Sequence, residues 1–349
     1  MSFRIAMREI GAQYLPYIVA EMSCNHLGSF ERAKEILYAA KEAGADAVKL
    51  QTYTPDTMTL NADGPGFAIK GGLWDGRVLY ELYQEAMTPW DWHADLFALG
   101  AEIGLPVFSS PFDTGAVEFL KTLNAPAYKI ASFELVDHAL IRACAETGRP
   151  VVMSTGMADL DEIAEAVDVA RSAGAGGIAL LHAISGYPTP PAEFNLATLA
   201  DMRTRFNVVV GISDHTLGIA VPVAAVSIGA CMVEKHLTIS RNDGGPDATF
   251  SLEPLEFAEM VKACRDAWAS IGKVTYQRAV SEKPNAIFRR SLYAIKDIAA
   301  GEGFTPDNVR SIRPALGLAP KHLPDILKAK AARAIKRGEP LDWSAVAKS

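Results

Sequence analysis

The stretch VVVGISDH, residues 208–215, and the later run MVEKH, residues 232–236, decide how this chain is read. Each is a short apolar segment that ends on a histidine. A run of this length bounded by turn-forming residues marks a strand buried on both faces, as in a parallel sheet. Imidazole is a common ligand of divalent transition metals. Two imidazoles at the ends of neighbouring parallel strands would meet at one mouth of a barrel. Either histidine alone reads more readily as a hydrogen-bonded structural residue than as a ligand, so the argument turns on the strands around them.

Working outward, the same pattern recurs upstream. YIVAEM (17–22), AVKLQT (47–52), PVFSSP (106–111), AYKIAS (127–132), VVMSTG (151–156) and IALLHA (178–183) are all short apolar runs with polar ends. Segments of helical period lie between them, such as SFERAKEILYAAKEAG (29–44) and DLDEIAEAVDVARSAGA (159–175). In the second, Ile163, Val167 and Ala170 share one stripe, and Asp159 or Asp161 can cap the start. Eight strand–helix units over residues 17–270 predict an α/β fold, a (β/α)8 TIM barrel, whose usual size is about 250 residues. A doubly wound open sheet would need a glycine-rich phosphate turn after an early strand, and no GxGxxG or P-loop occurs.

Two departures from the rhythm set the rest of the plan. More than fifty residues separate Thr52 from Pro106, and they hold GPG (64–66), GGLWDG (71–76) and WDW (90–92). A long loop after a barrel strand belongs to the catalytic face, so this one reads as a substrate lid or specificity loop, with a plain insertion as the alternative. After residue 272 the pattern changes. The expected organisation is a barrel over residues 1–272, a linker over 273–285 and a small domain over 286–349, too short for a large core of its own.

Of the 349 residues, 49% are hydrophobic and 21% charged, with a formal net charge of −7, which fits an ordinary globular protein. The one basic stretch, KAKAARAIKR (328–337), reads as a solvated face, so nucleic acid is not an expected partner. No apolar run approaches the roughly 20 residues of a membrane span, and MSFRIAMREIG lacks a secretory h-region. Cys24, Cys144, Cys231 and Cys264 show no CxxC spacing and read as reduced thiols of a cytoplasmic protein.

Residues at the C-terminal strand ends of a barrel face its active site. Here they are Glu21, Ser23, Asn25 and His26; Lys49 and Gln51; Ser109, Ser110 and Asp113; Lys129, Ser132 and Glu134; Ser154 and Thr155; His182, Ser185 and Tyr187; Ser213, Asp214 and His215; and His236. Alternation along the strands turns Lys49 and Lys129 inward. With serines 110, 132, 154 and 213 they suit an anion; a lysine with a depressed pKa would instead suit a Schiff base. His215 and His236 make an incomplete metal site, which water, substrate oxygens or a carboxylate such as Asp247 or Glu21 would complete. Glu134 reads as a water-orienting or proton-shuttling group, or as a solvent-facing helix start. His26, His93, His138 and His322 read as structural or surface residues.

Taken together, IVAEMSCNHLGS (18–29), AVKLQTYTPDTM (47–58), FSSPFD (108–113), YKIASFEL (128–135), MSTGMA (153–158), GISDHT (211–216), EKHLT (234–238) and GGPDATFSLEP (244–254) resemble the sialic acid synthase family. The tail, with RRSL (289–292) and SIRP (311–314), resembles that family's small antifreeze-like (SAF) domain. LQTYTPDTMTL (50–60), GLWDG (72–76) and LYELYQEAMTPWDW (79–92) are most similar to the subgroup that makes pseudaminic acid. The resemblance implies metal-dependent condensation of phosphoenolpyruvate with 2,4-diacetamido-2,4,6-trideoxy-L-altrose, giving a nonulosonic acid and phosphate. N-acetylneuraminate or legionaminate synthesis is the same chemistry on another sugar. A Schiff-base aldolase or a non-catalytic sugar-binding protein is the more distant alternative.

Residue by residue, the resemblance implies that His215 and His236 hold manganese, magnesium or cobalt. Lys49, Ser110, Lys129, Ser132, Ser154 and Ser213 would hold phosphoenolpyruvate. Glu21, Gln51, Tyr187 and Asp247 would contact the sugar, and Glu134 would handle the water. Ser185 stands where the N-acetylneuraminate enzymes have asparagine, at a phosphoenolpyruvate contact. The family's domain-swapped homodimer would bring Arg313 of one subunit to the other subunit's site.

Overall fold

Strand alternation builds the first unit. The computed structural model describes residues 1–62 and 64–347 and divides into two units, Met1–Gly272 and Lys273–Ser349. The first opens with an antiparallel hairpin, β1 (Ser2–Ile5) and β2 (Arg8–Gly11). Eight parallel strands follow: β3 (Tyr17–Glu21), β4 (Ala47–Thr52), β5 (Val107–Pro111), β6 (Tyr128–Ile130), β7 (Val151–Ser154), β8 (Ile178–Ala183), β9 (Val209–Asp214) and β10 (Met232–His236). Each pairs with the next, and β10 pairs back onto β3, so the sheet closes into the expected (β/α)8 barrel.

Side chains point alternately inward and outward along every strand. Tyr17, Val19, Ala47, Phe108, Val152, Leu181, Val209 and Met232 fill the lower barrel together with Phe3, Ile5 and Ile10 of the hairpin. The outward set, including Ile18, Val48, Leu50, Ile130, Met153, Val210 and Val233, packs under the helices. The hairpin therefore stoppers the N-terminal mouth, a feature the sequence reading did not anticipate. Phe3 sits over Gly177, where an added Cβ would lie 2.4 Å from the ring.

Helices cover the outside where their apolar stripes require it. In Leu160–Ser172 the buried residues are Ile163, Ala166, Val167 and Ala170. Asp159, rather than Asp161, is the cap: its carboxylate accepts from the Asp161 and Glu162 backbone N–H groups, while Glu162 accepts from Asp159 N. Strand β6 is shorter than the expected 127–132, because Ser132–Glu134 turns into a 3-10 helix at the barrel mouth. The long segment between β4 and β5 contains the helices Pro55–Met58, Leu79–Ala86 and Trp90–Glu102.

The second unit carries the antiparallel pair β11 (Ser291–Ala294) and β12 (Val309–Ile312) around a core that includes Leu292, Ile298, Phe304, Val309, Ile326, Ile335 and Leu341. The stretch read as an aperiodic linker, 273–285, runs into a 3-10 helix, Val280–Phe288. Among the described residues no helix is long and apolar enough to cross a membrane. The four cysteines are free and buried.

Candidate active site

A cavity of about 690 Å³ opens at the C-terminal mouth of the barrel. Of the residues to which the resemblance assigns roles, all those in the first unit line it except Ser110. Ser110 is fully buried behind Lys49, whose Nζ donates to its Oγ at 3.3 Å. Arg313 lies in the second unit, exposed, just after β12.

Parity decides which strand-end residues reach the cavity. Asp214 faces outward and pairs with Lys235 at 2.6 Å, both side chains fully buried. Ser109 faces outward and bonds Thr52 Oγ1 at 2.6 Å, and His182 donates to the Phe194 carbonyl at 2.6 Å. These three, counted above among the strand ends of the site, belong instead to the barrel–helix interface. Asp113 caps the helix Thr114–Thr122. His26 and His93 are buried, and burial lowers both imidazole pKa values to about 4.

The centre of the site is a charged layer. Lys49 Nζ lies 3.2 Å from Glu21 Oε2 and 3.2 Å from Glu234 Oε1, and Lys129 Nζ lies 3.7 Å from the same Glu234 oxygen. Ser213 Oγ donates to Glu234 Oε1 at 2.9 Å. Burial works against the Lys49 ammonium, but Glu21 and Glu234 outweigh it and hold its pKa above the usual lysine value. Burial would likewise raise Glu234, yet Lys129 and Lys49 override it and hold this carboxyl well below the usual range. Lys129 has less support: burial outweighs Glu234 and pushes it down to about 8. Burial also raises Glu21.

Glu234 was not singled out from sequence, although the parity that turns His236 inward also turns in the residue two positions earlier. Gly156 was missed too. Its N–H donates to Ser132 Oγ at 3.2 Å, and a Cβ there would sit 2.4 Å from Ser185 Oγ and 2.7 Å from Ser132 Oγ. Only a glycine here lets Ser132 Oγ and Ser185 Oγ approach the backbone this closely. Ser154 Oγ, Ser185 Oγ, Glu134 Oε2 and Glu234 Oε2 are buried without a hydrogen-bond partner. Unsatisfied buried groups carry a cost that a bound polar ligand removes.

A second hydrogen-bonded group lines the same cavity. Gln51 Nε2 donates to Glu21 Oε1 at 2.9 Å and to Ser23 Oγ at 3.1 Å, and Ser23 Oγ donates to Asp247 Oδ2 at 2.6 Å. Glu134 lies across the cavity, and burial raises its carboxyl to about 7.

The two histidines do converge, with ring centroids 5.4 Å apart. His215 Nδ1 donates to the Ile184 carbonyl at 3.1 Å, which leaves the Nε2 lone pair free. Burial pushes His215 down to about 4 and His236 well below its usual value, so both rings are neutral near pH 7, the form that ligates metal. His236 Nδ1 is buried with no hydrogen-bond partner, 3.5 Å from Asp247 Oδ2. Among the described residues no group of three or more His, Cys, Asp or Glu is placed to hold a metal. The donors fit an open site of two imidazoles whose other positions fall to water or substrate.

Known proteins resemble this chain over most of its length. A pseudaminic acid synthase from Campylobacter jejuni is 44% identical over 93% of this chain and 95% of its own. An N,N'-diacetyllegionaminic acid synthase from Legionella pneumophila is 33% identical over 95% of each. The crystal structure of an N-acetylneuraminic acid synthetase from Leptospira borgpetersenii superposes with a TM-score of 0.73 at 27% identity, covering 82% of this chain and 95% of that one. The SAF domain matches residues 289–347 and the NeuB family residues 36–276; the chain belongs to the NeuB family.

Proposed function

We propose that this chain is a synthase that condenses phosphoenolpyruvate with 2,4-diacetamido-2,4,6-trideoxy-L-altrose, giving a nonulosonic acid and phosphate. One observation carries the reading: a buried two-lysine, multi-serine anion cradle shares a cavity with two neutral imidazoles. The choice of sugar is supported by the higher identity to the pseudaminic acid synthase, 44% against 33% for the legionaminic acid enzyme.

In this reading Lys49, Lys129, Ser132, Ser154, Ser185 and Ser213 hold phosphoenolpyruvate, with the Gly156 N–H positioning Ser132 and Ser110 supporting Lys49 from behind. Glu21, Gln51, Tyr187 and Asp247 contact the sugar. His215 and His236 would hold a divalent ion, manganese, magnesium or cobalt, whose chemistry there is Lewis-acid polarisation of an aldehyde oxygen. C3 of phosphoenolpyruvate bonds to the sugar's aldehyde carbon, the carbonyl π electrons pass to its oxygen, which takes up a proton to become the product hydroxyl, and positive charge develops at C2. Glu134, with a pKa near neutrality, takes a proton from the water that adds to C2. The C2–O bond then breaks as the new C2 hydroxyl gives up its proton and becomes the ketone; the bond's electrons leave with the bridging oxygen on phosphate, which the lysines hold in place. Lys49 stays protonated between two carboxylates, which disfavours imine chemistry at that residue.

The working form is a homodimer in which one subunit's small domain, with Arg313, covers the other's cavity. Its support is a rim of exposed apolar side chains after the strand ends: Phe133, Val136, Met157, Leu160 and Leu217. The reaction belongs in the cytoplasm, where the four unpaired cysteines stay reduced. The test is oxygen labelling. With ¹⁸O in the bridging C2–O–P position of phosphoenolpyruvate, the label should appear in released phosphate; label retained in the sugar acid would overturn the mechanism.

A further inference from the structure

We propose that Trp74 determines sugar specificity, its ring seating the apolar C6 end of the substrate. This rests on the reading of the reaction given above and adds a residue to it. Trp74 stands at the tip of a small hairpin in the long segment between β4 and β5. Ile69 N donates to Arg77 O at 2.8 Å and Leu79 N to Phe67 O at 2.8 Å. Gly71, Gly72 and Gly76 turn the tip with φ of 78°, 76° and 80°, where other residues are strained. Leu73 and Asp75 beside it are exposed, whereas Trp74 folds inward and lines the cavity.

Two contacts fix the ring. Its Nε1 donates to the Pro246 carbonyl at 3.1 Å, next to Asp247, and its face lies 5.4 Å from Tyr187. Tyr187 in turn lies 4.5 Å from the His215 ring. The indole N–H, the ring's sole polar group, is therefore already committed. Whatever meets this ring meets carbon. Met58, Ile69, Leu79 and Leu82 of the same long segment also line the cavity, so most of what the segment contributes beside Thr57 and Tyr83 is apolar. A ligand hydroxyl placed here would lose its water without gaining a partner.

The spacing selects the end of the sugar that arrives there. An open six-carbon chain has five bonds of about 1.5 Å each, so it spans about 6 Å. With its aldehyde beside His215 and His236, its far end reaches beyond Tyr187 towards Trp74, two ring steps of 4.5 and 5.4 Å away. A methyl at C6 fits that apolar lining and a C6 hydroxyl does not.

The experiment compares kcat/KM for the 6-deoxy sugar and for its 6-hydroxy counterpart, with KM for phosphoenolpyruvate measured alongside. Trp74→Ala should lower the 6-deoxy preference by about 10- to 100-fold, the range one methyl commands in a fitted pocket, with KM for phosphoenolpyruvate changed less than about threefold. Trp74→Phe, which keeps a ring and drops the N–H, should retain most of the preference. Ile69→Asn in the same lining keeps the test decisive if Trp74→Ala is inactive: the ratio must fall there too. A ratio unchanged in these variants, with active wild-type enzyme, overturns this inference alone. Wild-type enzyme inactive on both sugars overturns the proposed reaction and this inference with it.

Discussion

Replacing Gly156 by alanine drives one methyl group against Ser132 and Ser185, two of the serines proposed to hold phosphoenolpyruvate. The new Cβ would start 2.4 Å from Ser185 Oγ and 2.7 Å from Ser132 Oγ. Ordinary non-bonded separations are about 3.5 Å, so each hydroxyl must retreat by roughly an ångström or rotate away. Both are ends of short side chains and the glycine has an ordinary negative φ, so the chain can accept the change and stay folded. What is lost is ligand binding. A hydrogen bond to a charged group contributes about 1.5–3 kcal/mol, so two misplaced hydroxyls weaken phosphoenolpyruvate binding by at least about 3 kcal/mol. That is roughly 100-fold in affinity. Calorimetric titration reads it directly, and phosphate-release kinetics should show a raised KM for phosphoenolpyruvate with the sugar's KM nearly unchanged. A folded Gly156→Ala protein that binds phosphoenolpyruvate within threefold of wild type would refute the cradle.

Further outcomes follow from other parts of the molecule. Glu134→Gln should keep phosphoenolpyruvate binding and abolish turnover; a near-normal rate would remove Glu134 from the scheme. Because Glu134 must be ionised and Lys129 protonated, kcat/KM should fall as pH drops through about 7 and again as it rises through about 8. A flat profile across that window contradicts both assignments. Lys235→Met leaves the buried Asp214 carboxylate unpaired and should cost about 3–5 kcal/mol in urea unfolding; a loss under about 1 kcal/mol would mean the pair is not load-sharing. Gly177→Ala drives a Cβ into the Phe3 ring at the far mouth and should cost about 1–3 kcal/mol of stability while leaving kcat/KM intact. Altered kinetics would mean that the hairpin end communicates with the site.

The barrel was legible because its strands are buried on both faces and therefore read as plain apolar runs. The hairpin β1–β2 was not, since four-residue strands carrying only Phe3, Ile5 and Ile10 inward lack a periodic signal of any length. Polar strand ends located the cavity, but the reading applied parity only to Lys49 and Lys129. Asp214, Ser109 and His182 were included for that reason, and Glu234 was passed over although it shares His236's face. Gly156 has no chemistry of its own to notice; its importance lies in the Cβ it lacks, which only three-dimensional placement reveals. The long segment was recognisable by its length alone as an addition after β4, whereas the commitment of the Trp74 N–H to Pro246 links residues 172 positions apart and leaves no local trace.

The central claim is tested most directly by phosphate release from phosphoenolpyruvate, with manganese present and three sugars offered in parallel: the diacetamido-trideoxy-L-altrose, its mannose-configured isomer and N-acetylmannosamine. The account predicts stoichiometric release that is selective for the altrose sugar and abolished by chelation. No release with any of the three from metal-replete protein would contradict it.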